Sequence, residues 1–232
     1  MKLLAFDTST EILHVAVQRG AAHAALEHTG PGGARASATL IPAILALLAQ
    51  AGLGLADLDA IVFGRGPGSF TGLRTACSVA QGLAFGSGVP VLAVDTLLAV
   101  AEDAYHRHGA QQVVVLLDAR MDEVYFAAYE REAGRWRRQG DFGLGRPEAV
   151  TVAPGWSLAG NAFAAYGERL PPASALIEAM PTAGALLRLA PALLAAGQAG
   201  PAAGAMPLYI RDKVAQTTQE RAALRAASPT RP

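Results

Sequence analysis

The sequence contains one cysteine, Cys77, in 232 residues, few aromatic residues and no net charge. A single cysteine excludes an internal disulfide and a thiolate metal cluster and favours a reducing compartment, so we expect a cytoplasmic protein. Nineteen basic residues balance nineteen acidic ones, which removes the overall field that would attract a nucleic acid. Aromatic residues make up 6% of the chain and hydrophobic residues 52%, so the core is expected to be aliphatic.

Long hydrophobic runs are also missing. Four apolar residues, Leu3 to Phe6, precede Asp7, and this run is too short for the apolar region of a secretory signal. The longest apolar stretch, Ala38 to Ala49, falls short of the roughly 20 residues that span a bilayer. The sequence therefore predicts no membrane segment.

An apolar run that ends in an aspartate and a polar turn occurs twice. Leu3 to Phe6 leads into Asp7, and Val113 to Leu117 leads into Asp118; a second apolar run follows each turn. This repetition predicts an α/β protein with two related lobes, residues 1–108 and 109–211. The remaining residues, 212–232, are polar and rich in alanine, and we expect a partly disordered tail.

Periodicity and turn residues predict the order β-β-β-α-β-α-β-α for the first lobe. The third strand is expected at residues 21–27 and a breaker-rich loop at 28–36. Helices are expected near 40–51, with Thr39 as the N-cap that makes Pro42 tolerable, and near 73–85. In the second lobe, strands are expected at Trp136 and at 157–159, and helices near 163–170 and 182–196.

The segment Gly64 to Gly72 has four glycines in nine residues and precedes a predicted helix. A helix N-terminus favours an anion, so a phosphate site is one interpretation, and a tight turn that sets a helix against a sheet is the other. The segment matches neither a Walker loop nor a dinucleotide-binding loop. The candidate nucleotide or phosphate residues in this segment and in the two polar turns are Asp7, Thr8, Ser9, Gly66, Gly68, Ser69 and Asp118.

Two neighbouring predicted helices carry complementary faces. One presents Gly72, Ala76, Ala80 and Ala84 at four-residue spacing, and the other presents large residues at Ile41, Ile44, Leu45 and Leu48. A face without bulk lets another helix approach its backbone closely. The two helices either pack on each other as core or form a surface that docks onto another chain.

A catalytic constellation is not visible in the sequence. The five histidines lack metal-ligand spacing, Ser69 lacks the frame of a serine nucleophile, and Cys77 lies in an apolar helix. We therefore expect no catalytic residue and no metal site in this chain.

Four segments together resemble the TsaB (YeaZ) family, the dimerisation subunit of the bacterial tRNA threonylcarbamoyladenosine machinery. They are residues 4–10, the Gly-Pro-Gly-Ser-Phe-Thr-Gly-Leu-Arg run at 66–74, residues 118–125 and residues 207–211. The resemblance implies an actin/Hsp70/sugar-kinase-like (ribonuclease H-like) fold, in which each lobe has a mixed central sheet flanked by helices. The catalytic paralogue carries metal-binding histidines where this chain has Ala36 to Leu40, and relatives commonly keep a histidine at the position of Ala36.

The resemblance also implies a non-catalytic scaffold that pairs with the catalytic TsaD-like paralogue for N6-threonylcarbamoylation of adenosine 37 in tRNAs that read codons beginning with A. A TsaE-like ATPase is the expected third partner, with ATP or ADP, metal and tRNA bound only within the complex; homodimerisation through the same helices stays open. The implied partner interface comprises Leu40, Ile41, Ile44, Leu45, Leu48, Phe70, Gly72, Leu73, Ala76, Ala80 and Leu83. The alternative functions are an ATP-dependent small-molecule kinase or hydrolase using Asp7 and Asp118, and a glycoprotease-like peptidase.

Overall fold

The first lobe follows the predicted order of strands and helices in a computed structural model that describes residues 1–20 and 22–211. Its strands are β1 (Lys2–Asp7), β2 (Ile12–Arg19), β3 (Leu26–Pro31), β4 (Ala60–Gly66) and β5 (Val91–Asp95). Its helices are α1 (Ala36–Ala51), α2 (Phe70–Ser87) and α3 (Thr96–His108). The predicted tail, residues 212–232, lies outside the described residues.

Among the described residues, the second lobe has two α-helices and the first has three. Its strands are β6 (Gln112–Arg120), β7 (Glu123–Glu132), β8 (Arg135–Gly145), β9 (Ser157–Gly160) and β10 (Leu176–Glu178). Its helices are α4 (Phe163–Tyr166) and α5 (Ala183–Ala195). The strands expected at Trp136 and at 157–159 are confirmed by β8 and β9.

The two sheets repeat one topology. The first has the order β3-β2-β1-β4-β5 and the second β8-β7-β6-β9-β10, each with five strands. In both, the first three strands pair antiparallel, and the fourth and fifth run parallel to the first. The prediction of two related lobes with mixed sheets is confirmed, and the relation extends to every strand.

The helices form layers around the two sheets. α1 and α2 cover one face of the first sheet, with Leu40, Ile44 and Ala76 in the same core cluster as Phe6 and Phe63. α5 covers the opposite face of the first sheet, α3 packs beside α5 and against the second sheet, and α4 lies on the outer face of the second sheet. The division at residue 108 stays a prediction, because α5 belongs to the second half of the chain but packs on the first sheet.

Three element predictions are wrong in their bounds. α1 begins at Ala36, directly after a 3-10 turn at Gly33–Arg35, so Thr39 is not its N-cap. Pro42 is tolerated inside the helix on its exposed side, where water can reach the carbonyl that loses its partner. The third strand is Leu26–Pro31 rather than 21–27; it is an edge strand, so Pro31 is compatible with it.

The remaining error concerns the predicted helix at 163–170. α4 ends at Tyr166, because Gly167 turns the chain with a φ of +47° and begins a short 3-10 helix, Gly167–Arg169.

The helical stretch Gly33–Ala51 is apolar and long enough to cross a membrane by length and composition alone. Its inner side is packed in the core of the first lobe: Leu40 and Ile44 are fully buried there. Core helices of soluble proteins pass the same test of length and composition, so this stretch is weak support for a membrane span.

Candidate functional site

A cavity of about 570 Å³ lies between the two lobes. The turn after β1 and the start of α2 form one wall, with Ser9, Gly68 and Ser69. The end of β6 forms the opposite wall with Asp118. Four of the seven candidate phosphate residues therefore line this cavity, whereas Asp7, Thr8 and Gly66 lie behind its surface.

Asp7 is fully buried at the end of β1. One carboxylate oxygen accepts hydrogen bonds from the amide and the hydroxyl of Ser9, at 2.7 and 2.5 Å, and the other accepts one from the Thr96 hydroxyl at 3.2 Å. Burial raises the pKa of Asp7 to about 6, and these hydrogen bonds oppose the shift. A carboxylate so enclosed organises the turn beneath the cavity and does not reach a ligand in it.

The glycine-rich segment packs against the turn after β1. A Cβ on Gly68 would lie 2.6 Å from the Ser9 carbonyl oxygen, and a Cβ on Gly72 would lie 2.9 Å from the Thr8 carbonyl carbon. The Ser69 amide donates to the Ser9 carbonyl at 2.7 Å, and the Thr8 hydroxyl donates to the Gly72 carbonyl at 2.7 Å. These contacts favour the tight-turn interpretation, because the Ser69 amide that a phosphate would use is already bonded.

Asp118 occupies the position in the second lobe that Asp7 occupies in the first. One of its oxygens accepts from the Tyr166 hydroxyl at 2.9 Å and from the Arg120 amide at 2.8 Å. The other lies 3.3 Å from the Arg120 guanidinium, which also pairs with Glu11 of the first lobe at 3.0 Å. Asp118 thus orders a turn at the mouth of the cavity and helps to join the lobes.

The C-terminal segment 207–211 forms a further wall of the cavity, a role that the sequence analysis did not assign. The Leu208 amide donates to the Arg65 carbonyl in the first lobe at 2.7 Å. Arg211 donates to the Glu123 carboxylate in the second lobe at 2.7 Å. A Cβ on Gly66 would lie 2.7 Å from the Leu208 carbonyl oxygen, so Gly66 permits this close approach. The segment therefore ties the two lobes together.

Side chains suited to a nucleophile or a metal are not gathered in the described part of the chain. Within residues 1–20 and 22–211, no group of three or more histidine, cysteine and acidic side chains could hold a metal ion. Ser69 caps α2 by accepting from the Gly72 amide. Burial raises the pKa of the Cys77 thiol to about 12, which suppresses the thiolate that would react. Ala36, the position at which the family resemblance implies a histidine, is fully buried.

The expected partner interface divides into an inner and an outer set. Seven of its residues are buried in this chain's own core, and these are Leu40, Ile44, Leu48, Gly72, Leu73, Ala76 and Ala80. The small-residue face packs on α1 and the first sheet, which favours the core interpretation of that face. The assignment of these residues to a partner interface stays a prediction. Ile41, Leu45 and Phe70 are exposed, and Leu83 is half-buried.

The outer face of α1 and α2 has one large residue that sequence reasoning missed. Phe85 is 86% exposed, against 44% for Ile41 and 50% for Leu45. On α2 it continues an exposed stripe that includes Thr71, Ser78 and Gly82. Helical spacing could have found this stripe once the alanine face was assigned to the core. We call the exposed residues of α1 and α2 the outer face.

Comparisons with known proteins agree on one family. A family model described as "TsaD: tRNA N6-adenosine threonylcarbamoyltransferase" matches residues 28–218. The "tRNA threonylcarbamoyladenosine biosynthesis protein TsaB" of Escherichia coli (strain K12) is 35% identical over 234 residues, covering 93% of this chain and 96% of that protein. The protein of the same name from Haemophilus influenzae is 46% identical over 145 residues, 62% of this chain and 58% of that protein.

A solved structure extends the agreement to the fold. "YeaZ from Pseudomonas aeruginosa" matches with a TM-score of 0.84 and 42% identity, covering 90% of this chain and 99% of that one. The E. coli relative and this structure each cover 90% or more of the chain. The chain belongs to the TsaB (YeaZ) family.

Proposed function

We propose that this chain is a non-catalytic scaffold subunit that dimerises with a TsaD-like catalytic paralogue. In that complex it activates N6-threonylcarbamoylation of adenosine 37 in tRNAs that read codons beginning with A. The names of the E. coli and H. influenzae relatives support the pathway. The observation that carries the scaffold role is the apolar outer face of α1 and α2, with Ile41, Leu45 and Phe85 exposed.

Burying this outer face supplies the driving force for association. Full burial of a large aliphatic or aromatic side chain stabilises by about 1.5–3 kcal/mol. Ile41 and Leu45 are about half exposed, so covering them yields about 1 kcal/mol each. Removing both should therefore weaken a complex by about 30-fold, since 1.4 kcal/mol corresponds to a factor of ten.

The phosphotransferase alternative has no specific support in the geometry. A kinase or hydrolase of this fold would present a carboxylate to the ligand in the cavity. Asp7 is enclosed behind Ser9, and Asp118 is engaged by Tyr166 and Arg120. The peptidase alternative requires a nucleophile or a set of zinc ligands. Ser69 and Cys77 hold structural positions, and no group of three or more metal-ligating side chains is found among the described residues.

We infer that a TsaE-like ATPase joins the complex, and that ATP or ADP, metal and tRNA bind only once the paralogue is present. Ser9, Gly68, Ser69 and Asp118 are the candidate residues that line the cavity and would face such a nucleotide. Self-association through the outer face would compete with binding of the paralogue. We infer a cytoplasmic location because the proposed substrate of the complex is tRNA.

The test replaces exposed residues of the outer face and leaves the core unchanged. Ile41→Glu combined with Leu45→Glu places two charges on the outer face, and Leu176→Glu places one on an exposed strand of the second lobe. Size-exclusion chromatography with light scattering measures complex formation with the paralogue, and a threonylcarbamoyl-transfer assay measures activation. We expect the double variant alone to lose both. A wild-type chain that neither binds nor activates the paralogue would overturn the proposed function.

A further inference from the structure

The turn between β6 and β7 has an unusual backbone. Its two central residues, Met121 and Asp122, have φ angles of +56° and +64°, and Arg120 before them has a φ of +61°. Two-residue hairpin turns with positive φ at both positions normally carry asparagine and glycine. A residue with a side chain is less stable in this left-handed region, and three in succession persist only where their surroundings hold them. The β6–β7 turn is therefore strained.

Side chains of the second lobe hold one side of this turn. The Arg169 guanidinium donates to both carboxylate oxygens of Asp122. The Tyr166 hydroxyl lies 2.9 Å from the Asp118 carboxylate and 2.9 Å from the Glu123 carbonyl oxygen. These contacts fix the strand ends on both sides of the turn.

Arg211 holds the other side of the turn. Its side chain is 14% exposed, and one terminal nitrogen donates to the Glu123 carboxylate at 2.7 Å and lies 3.5 Å from the Arg120 carbonyl oxygen. The other terminal nitrogen lies 3.3 Å from Met121 Sδ. One largely buried guanidinium therefore contacts the turn and the strand that follows it, and its bond to a carboxylate is of the strong, charge-assisted kind.

Arg211 belongs to a segment that crosses from one lobe to the other. Ala205 lies in the core cluster of the first sheet, and the Leu208 amide donates to the Arg65 carbonyl of β4 at 2.7 Å. Two residues later, Ile210 packs against the core cluster that contains residues of β6 and β7. Residues 208–211 line the cavity, so the crossing takes place along its wall.

We propose that segment 207–211 and the strained β6–β7 turn form a releasable clasp that holds the two lobes together across the cavity, with Arg211 as its fastening side chain. In the closed state the contacts of Arg211 compensate for the strain of the turn. When these contacts break, the turn relaxes, and this relaxation lowers the cost of opening. The strain therefore makes the clasp a switch between two states rather than a permanent connection. The clasp is a property of the isolated chain and does not depend on the proposed partner.

Hydrogen exchange of single backbone amides, followed by NMR on the isolated chain, measures how often the clasp opens. The Leu208 amide reports release of the segment, since it donates to the Arg65 carbonyl. The Arg120 amide reports relaxation of the turn, since it donates to the Asp118 carboxylate at 2.8 Å. Opening of one clasp must change exchange at both amides together.

Three variants change the clasp and one serves as a control. Arg211→Met removes the charged contacts and keeps an unbranched side chain, and Glu123→Gln removes only the charge of the acceptor. Met121→Asn introduces a residue that adopts the left-handed backbone more readily. Arg137→Met is the matched control, because Arg137 pairs with Glu132 at 3.4 Å at the opposite end of β7 from the clasp.

We expect Arg211→Met to speed exchange at both reporting amides by about tenfold or more, the size expected when a hydrogen bond between charged groups is lost. Glu123→Gln should give a smaller rise in the same direction, and Arg137→Met should stay within about twofold of the wild type. The Ser174 amide, which donates to the Trp156 carbonyl within the second lobe, should exchange at the wild-type rate in every variant.

The strain of the turn is tested by Met121→Asn, which stabilises the closed state and should slow exchange at both reporting amides by about fivefold. Unchanged or faster exchange in this variant would overturn the role of strain. Exchange in Arg211→Met within twofold of the wild type at either reporting amide, or an equal rise at the Ser174 amide, would overturn the clasp. Glu123→Gln supplies the same comparison if Arg211→Met does not fold.

Discussion

Replacing Gly72 with alanine tests whether the small-residue face of α2 belongs to the core. A Cβ there would lie 2.9 Å from the Thr8 carbonyl carbon, closer than real Cβ atoms come. The obstacle is backbone and is fixed in place, since the Thr8 hydroxyl donates to the Gly72 carbonyl and the Ser69 amide donates to the Ser9 carbonyl, each at 2.7 Å. The start of α2 must therefore move away from the turn after β1.

The expected cost combines two contributions. Forcing an extra carbon into a packed site costs about 1–3 kcal/mol, and weakening the hydrogen bond between Thr8 and Gly72 costs about 1 kcal/mol. The higher helix propensity of alanine returns about 1 kcal/mol. Gly72→Ala should thus lower the free energy of unfolding by about 2 kcal/mol.

Gly82 provides a matched control in the same helix. A Cβ on Gly82 would meet no atom within 4 Å, so Gly82→Ala should gain about 0.5–1 kcal/mol from helix propensity alone. Thermal unfolding of the isolated chain, followed by circular dichroism, compares the two variants. For a chain of this size 1 kcal/mol shifts Tm by about 2–4 °C, so Gly72→Ala should lower Tm by about 4–8 °C. An equal rise of Tm in both variants would refute the core assignment.

Three further measurements test other parts of the structure. Ile44→Ala should lower the free energy of unfolding by about 2–5 kcal/mol because Ile44 is fully buried, whereas Ile41→Ala on the same helix should change it by less than about 0.5 kcal/mol; equal losses in urea unfolding would contradict the inner and outer faces of α1. Burial raises the pKa of Asp7 from 3.8 to about 6, so the folded state holds this proton to higher pH than the unfolded state does, and stability should fall by about 2 kcal/mol as pH rises from about 4 to 6. Asp7→Asn should remove this pH dependence of the free energy of unfolding, measured by urea unfolding between pH 4 and 7. A pH dependence unchanged from wild type would show that other groups cause it. Cys77 is buried and the pKa of its thiol is raised to about 12, so a thiol reagent at pH 8 should label it only as fast as the chain opens; labelling at the rate of a free thiol would show that it is accessible.

Local sequence patterns predict the two related lobes but not the order of the strands within each sheet. The turns at Asp7 and Asp118 repeat one local pattern, and each follows an apolar strand, so the two lobes are visible. The shared strand order is not visible, because pairings such as Leu4 with Ile61 join residues far apart in the chain. β10 is three residues long, too short for periodicity to distinguish it from a loop.

The site shows a different limit of sequence reasoning. Four-residue spacing correctly groups Gly72, Ala76 and Ala80 on one side of a helix, but spacing does not say which side meets the core. That choice is made by the first sheet, where Phe6 and Phe63 are large and fully buried, so the helix above them presents small residues. The outer face, with Phe85, is the side of these helices opposite the core, and no sequence pattern identifies it until the core side is known.

The outer face also differs from the surface of the neighbouring helix α3, which ends at the surface of the same lobe. Where α3 reaches solvent, its exposed residues are His106, Arg107 and His108, as expected for a helix end in water. Where α1 and α2 reach solvent, the large exposed apolar residues are Ile41, Leu45, Phe70 and Phe85, and Arg74 is the single charge. Both faces of the first sheet are already covered by this chain's own helices, so these apolar residues contribute nothing to its own core. Association with another chain would bury them, and this is the physical basis of the scaffold role proposed for this chain.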